Sequence, residues 1–176
     1  MSGVVVRACY PGSFDPLTVA HVAVASAVLE QVPGVVGVDF VMSRSALGKS
    51  SGAASSLSDR CRAIEACGFS AVVTDAQLVV DVAAGYDVLV GGADKLDQVW
   101  DVSFYGGSVA ARDSAVARLP GVLAVAPRAG FDVPARAGVV VLRVDPALAA
   151  VSSTAVRSGS AHWLARPAPR TRQNPE

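Results

Sequence analysis

Val4-Val5-Val6-Arg7-Ala8-Cys9-Tyr10-Pro11-Gly12-Ser13-Phe14-Asp15-Pro16-Leu17-Thr18-Val19-Ala20-His21 decides the fold. Val4 to Cys9 is a short apolar run of strand character, and apolar residues resume as a helix-like segment from Val19 to Gln31. Between them lie Gly12, Ser13, Asp15 and two prolines, the residue types of a turn. A glycine turn that passes from strand to helix leaves backbone N–H groups unpaired and pointing outward, which suits phosphate. Thr18 and His21 lie three positions apart and share one face of a helical turn. That face presents a hydroxyl and an imidazole to any anion the N–H groups hold, so the stretch argues for nucleotide chemistry.

The same alternation continues outward. Pro33-Gly34 ends the first helix, Val35 to Met42 reads as a second strand, and Ser43 to Ser56 is a long Ser/Gly/Ala-rich loop, expected to be mobile or functional. A helix from Leu57 to about Cys67 follows, with Ser58 as its expected N-cap. Then come a strand at Ala71 to Thr74, a helix at Gln77 to Ala84, and a strand at Tyr86 to Val90 that delivers Gly91-Gly92-Ala93-Asp94-Lys95. A helix at Asp113 to Arg118 and strands at Val122 to Ala126 and Val139 to Val144 complete the pattern. Strands alternating with helices predict a doubly wound, Rossmann-like parallel α/β sheet covered by helices on both faces. In such sheets ligands bind beyond the carboxyl ends of the strands where strand order reverses. Gly12 to His21, Gly91 to Lys95 and Pro127-Arg128 all follow strands and are expected on one edge. Residues 1–164 are read as one domain and 165–176, rich in Pro, Arg, Thr, Gln and Asn, as a surface tail.

Composition agrees. With 176 residues, 52% hydrophobic and 17% charged, the chain can bury a core of one domain. Lys plus Arg and Asp plus Glu are both 15, so no global field recruits nucleic acid or an anionic membrane. Cys9, Cys61 and Cys67 have no metal-ligand spacing, and their odd number disfavours a disulfide framework. No apolar run approaches the roughly 18 residues of a membrane span, and no secretory signal is read, so a cytoplasmic protein is expected.

Gly12-Ser13-Phe14-Asp15-Pro16 followed by Thr18-x-x-His21 resembles the G-x-F-D-P-x-[HT]-x-G-H signature of the nucleotidylyltransferase superfamily, which includes the pantetheine-phosphate, nicotinate-mononucleotide and glycerol-phosphate nucleotidyl transferases. Val151-Ser152-Ser153-Thr154-Ala155-Val156-Arg157 is similar to the family's I-S-S-T-x-x-R motif. Together, in this order and about a domain length apart, the two motifs are specific, and the resemblance runs from Val4 to Gly159.

The resemblance implies a site. His21 would donate to the α-phosphate; its alternative is an ordinary helix histidine. Thr18 would donate to the phosphates or cap the first helix, or both. Gly12 belongs to the nucleotide-binding turn. Ser13 and Phe14 would line the phosphate with their backbone, with Phe14 also a candidate for the core, and Asp15 would stabilise the turn. Lys49 would reach the transferring phosphate from the loop, against a solvated surface lysine. Arg60 matches a family arginine, against a helix-surface charge. Gly92 and Asp94 would contact the nucleotide. Ser152, Ser153 and Thr154 offer hydroxyls and N–H groups at a helix start, with Arg157 one turn on, for the triphosphate. Ser13, Lys49, Trp100 and Arg128 are expected on the acceptor side, Trp100 either stacking on a planar ring or packing against the sheet. No protein metal site is expected; Mg²⁺ would arrive with the nucleotide.

Two departures stand out. Ala20 replaces the family glycine before the histidine, and the R-G-L-R element of the pantetheine-phosphate enzymes would fall at Gly91 to Asp94 without its arginines. The expected activity is AMP transfer from ATP to a small phosphomonoester. Nicotinate mononucleotide stands first among acceptors, 4′-phosphopantetheine second, and cytidylyl transfer from CTP to a polyol phosphate third. A nucleotide-binding homologue without catalysis is the competing class, and a homo-oligomer is compatible with either. An NAD-dependent dehydrogenase is disfavoured because the first turn lacks G-x-G-x-x-G.

Overall fold

The computed structural model describes residues 5–45, 55–133 and 135–167. Six parallel strands form one sheet: β1 (Val6–Pro11), β2 (Val35–Ser43), β3 (Ser70–Thr74), β4 (Val88–Gly92), β5 (Val122–Ala126) and β6 (Val139–Val141). Their spatial order is β3-β2-β1-β4-β5-β6, so the chain reverses its direction of travel across the sheet between β1 and β4. That reversal opens a crevice at the carboxyl ends of the two central strands.

Strand alternation sorts the apolar residues into two cores. Ala8, Tyr10, Phe40, Met42, Val88, Val90 and Ala124 face one way and pack with helix α1 (Val19–Gln31) and Ile64 of helix α2 (Leu57–Ala66). Cys9, Val41, Leu89, Leu123 and Val125 face the other, against helices α3 (Val79–Val82), α4 (Ala93–Trp100) and α5 (Val109–Val116). Both faces are covered, hence the near-continuous apolar strands. The buried Asp39, midway along β2, is held by Arg7 of β1 and by the hydroxyl of Tyr86, just before β4, at 3.0 Å, which ties the central strands together.

The doubly wound architecture is as expected; several boundaries are not. β1 runs on through Tyr10 and Pro11, while Val4 lies outside the described residues. Helix α2 is capped by Ser56, whose hydroxyl accepts the Asp59 amide at 3.1 Å, so Ser58 sits inside the helix. The segment read as helix from Gln77 to Ala84 is helical only over α3, and β4 starts two residues later than read because Tyr86 still donates its amide to Ala83 in a turn. α5 begins earlier, at the cap supplied by Ser108. β6 is short, and Leu142 continues it with one bond to Val125 at 2.8 Å. Helix α4 was not anticipated. Of the loop Ser43 to Ser56, only the two ends are described.

After β6 a last helix, α6 (Ser153–Arg157), precedes a terminal segment that returns to the first turn. Leu164 forms an isolated antiparallel bridge with Thr18, and the Ala165 amide donates to the Leu17 carbonyl at 3.1 Å. The expected surface tail thus begins with residues bonded to the domain.

Candidate active site

The crevice at the strand reversal holds a cavity of about 720 Å³, within the range of small-molecule sites. Its walls come from four places: Gly12, Ser13, Phe14, Ala20 and His21 after β1; Gly92, Asp94 and Lys95 after β4; Pro127, Arg128 and Ala129 after β5; and Ser152, Ser153, Thr154 and Arg157 at α6. The two ends of the sequence are bonded to each other there. The Ser153 hydroxyl donates to the Pro16 carbonyl at 2.8 Å, and the Arg157 guanidinium donates to the Asp15 carbonyl. A second nitrogen of Arg157 donates to the Thr154 hydroxyl at 3.1 Å.

His21 is fixed by a reciprocal cap. The Thr18 amide donates to its Nδ1 at 3.0 Å, while the Thr18 hydroxyl accepts the His21 amide at 3.4 Å. A ring nitrogen that accepts carries no proton, so the neutral imidazole holds its proton on Nε2. The ring lies edge-on to Phe14, centroids 5.1 Å apart, and 6.2 Å from Tyr10. Burial among these groups pushes the His21 pKa down to about 4, with the positive charge of Arg128 adding to the effect. At neutral pH the site therefore contains an uncharged imidazole with one N–H to give.

Phe14 is 2% exposed and has φ 47°, a left-handed backbone that non-glycine residues seldom adopt. Its ring covers Gly12 so closely that a Cβ there would meet it at 2.6 Å, which explains why the position is glycine. Arg128 donates to the carbonyls of Ala149 at 3.0 Å and Val151 at 3.2 Å, and its Nε lies 3.4 Å from the Asp94 carboxylate. It thereby fixes the chain entering α6. Gly92 leaves room for this pair, since a Cβ there would stand 2.5 Å from Asp94 Oδ1.

Two of the expected site residues do not line the cavity. Thr18 is fully buried; its hydroxyl is turned to His21, so it caps α1, one of the two roles expected of it, and orients the imidazole. Trp100 does not line the cavity either. It packs against the core on the α3–α5 face, with the Arg136 guanidinium 5.9 Å from its ring centroid, because the unanticipated helix α4 carries it away from the strand end. Lys49 lies outside the described residues. Sequence reasoning passed over Tyr10, whose place two residues beyond Ala8 in a strand gives it the same face. The Asp15 carboxylate, expected to stabilise its own turn, is buried and accepts from the Ser55 hydroxyl at 2.6 Å and the Ser55 amide at 3.2 Å.

Among known structures, the chain resembles the Plasmodium falciparum nicotinic acid mononucleotide adenylyltransferase complexed with NaAD, at TM-score 0.57 and 15% identity over 88% of this chain and 83% of that one. The same Plasmodium falciparum enzyme complexed with APC matches at TM-score 0.54, again at 15% identity, with coverage of 88% and 83%. At this identity the likeness speaks for the fold. No curated protein matches. The family described as cytidylyltransferase-like matches residues 9–159, from within β1 to just beyond α6, and the protein belongs to that family.

Proposed function

We propose that the protein transfers a nucleoside monophosphate, AMP from ATP in the first instance, onto a small phosphomonoester and releases pyrophosphate. The observation that carries this reading is the pair of bonds from Ser153 and Arg157 to the carbonyls of Pro16 and Asp15, beside the uncharged imidazole of His21. A phosphate oxygen of the acceptor attacks the α-phosphorus, and the bond to the β-phosphate breaks. The nucleophile is already anionic, so the work is positioning and charge stabilisation. His21 Nε2–H donates to an α-phosphate oxygen, and Ser152, Ser153 and Thr154 hold the triphosphate, with Arg157 and Arg128 supplying positive charge. Mg²⁺ carried on the triphosphate would neutralise the leaving pyrophosphate; among the described residues no group of three His, Cys, Asp or Glu side chains is placed to hold an ion by itself. Nicotinate mononucleotide is the first acceptor of the proposal, though with Trp100 on the far face its ring must be met by other groups.

The test is pyrophosphate release from ATP or CTP with nicotinate mononucleotide, 4′-phosphopantetheine and glycerol phosphate. Release is expected with ATP and nicotinate mononucleotide, and His21→Asn should lower kcat by roughly 10²- to 10³-fold with nucleotide binding kept. Unimpaired turnover by His21→Asn would refute the catalytic role. Tight ATP binding without release from any acceptor would instead identify a nucleotide-binding homologue.

A further inference from the structure

Phe14 poses an unanswered question. Its backbone is left-handed, a conformation that costs energy unless neighbouring contacts impose it, and the residue is 2% exposed. Among the described residues, no acceptor takes its amide N–H. A donor in so enclosed a residue is costly to leave unpaired, and the described residues supply no acceptor for it. Ser13 and Phe14 both line the cavity, where an anionic ligand would be that acceptor.

Arg60 fixes this arrangement from outside. It lies on the first turn of α2 and does not line the cavity. Its Nη1 donates to the Ser13 carbonyl at 2.8 Å, and its Nε donates to the Ser56 carbonyl at 3.3 Å, so the guanidinium is anchored to its own helix start while it holds the turn. A trans peptide is planar, with C=O and N–H on opposite sides. Drawing the Ser13 carbonyl toward Arg60 therefore sends the Phe14 N–H the other way. The neighbouring grip of Ser55 on the Asp15 side chain leaves the strained residue between two fixed points.

We infer that Arg60 is a positioning residue: it holds the Ser13–Phe14 peptide so that the Phe14 amide is presented as a donor to a phosphate oxygen of the substrate. This rests on the phosphate-binding reading of the cavity but not on turnover. A glutamine at position 60 lacks both the reach and the fork to hold two carbonyls. The peptide would then relax and the donor would be misaimed.

The experiment follows backbone amide resonances while inorganic tripolyphosphate is added to the wild-type protein, to Arg60→Gln and to Arg60→Lys. In the wild type, the Phe14 amide should move with saturation. In Arg60→Gln at equal saturation its shift should fall several-fold while the His21 ring signals still move, and Arg60→Lys, which keeps one donor and the charge, should lie between. If Arg60→Gln does not fold, the lysine variant carries the comparison. With substrates, kcat of Arg60→Gln should fall by roughly ten- to a hundredfold, with KM for ATP changed less than about threefold. A Phe14 amide that ignores tripolyphosphate in the wild type, or responds equally in all three proteins, overturns the inference. Absence of pyrophosphate release from the wild type overturns the transferase reading alone, since the amide readout needs no reaction.

Discussion

Ser153 donates its hydroxyl to the carbonyl of Pro16 at 2.8 Å across 137 positions of sequence. One short bond thus closes the turn after β1 against the start of α6. Beside it, Arg157 reaches the adjacent carbonyl of Asp15. Carbonyl oxygens repel phosphate, and both are here occupied by donors, so the turn shows the cavity its more positive side.

Removing the Ser153 hydroxyl should loosen that closure. Ser153→Ala leaves the Pro16 carbonyl without its donor, at a cost of about 1–3 kcal/mol in stability. Chemical denaturation should show the loss, and KM for the nucleotide should rise more than kcat falls. Unchanged stability and KM together would mean that the two ends of the chain do not depend on this bond.

The imidazole gives a pH signature. The His21 pKa is pushed down to about 4 from its ordinary value near 6.5, so between these values the unfolded chain binds more protons than the folded one. Its contribution to stability is complete above about pH 6.5 and is lost as pH falls toward 4. Protonation at Nδ1 would also break the bond from the Thr18 amide. Turnover should therefore show no inflection near pH 6.5 attributable to this residue, and an NMR titration of the ring should find it neutral at pH 6. An imidazole that titrates near 6.5 would contradict the half-buried, capped geometry.

Gly12→Ala should be damaging for a local reason. The new methyl would stand 2.6 Å from the Phe14 ring, which is itself packed against Phe40, centroids 4.8 Å apart, and has little room to yield. Overpacking of this kind costs about 1–3 kcal/mol, and the displaced ring would push on His21. A lower melting temperature and a fall in kcat should appear together; Gly12→Ala with wild-type values of both would show that the turn is more pliable than its packing implies.

Trp100→Leu separates two roles for an aromatic residue. Its ring packs on the α3–α5 core with Arg136 above it, so the substitution should reduce stability by about 1–3 kcal/mol and leave KM for every acceptor within about twofold. A selective rise in acceptor KM would place the ring in the site after all.

Much of this was legible in the sequence because it is local. The strand, turn and helix from Val6 to Gln31 announce themselves through apolar runs broken by Gly and Pro, and the two motifs state their partnership by residue type. What failed depends on tertiary context. Helix α4 starts directly from β4 with Gly92 as its cap and no side-chain cap bond, so no start signal marks it, and without it the two alternatives for Trp100, stacking in the site or packing against the sheet, stayed open. Thr18 fits both a phosphate donor and a cap, and only its complete burial decides between them. Arg60 resembles any charge on a helix surface until Ser13, 47 positions away, is brought beneath it.

The most direct test of the central claim is a crystal structure with a non-hydrolysable ATP analogue. The account predicts one triphosphate spanning both motifs, its α-phosphate within hydrogen-bond distance of His21 Nε2 and its outer phosphates on Ser152 to Thr154. An analogue bound to only one motif, or with His21 out of reach of every phosphate, would contradict it.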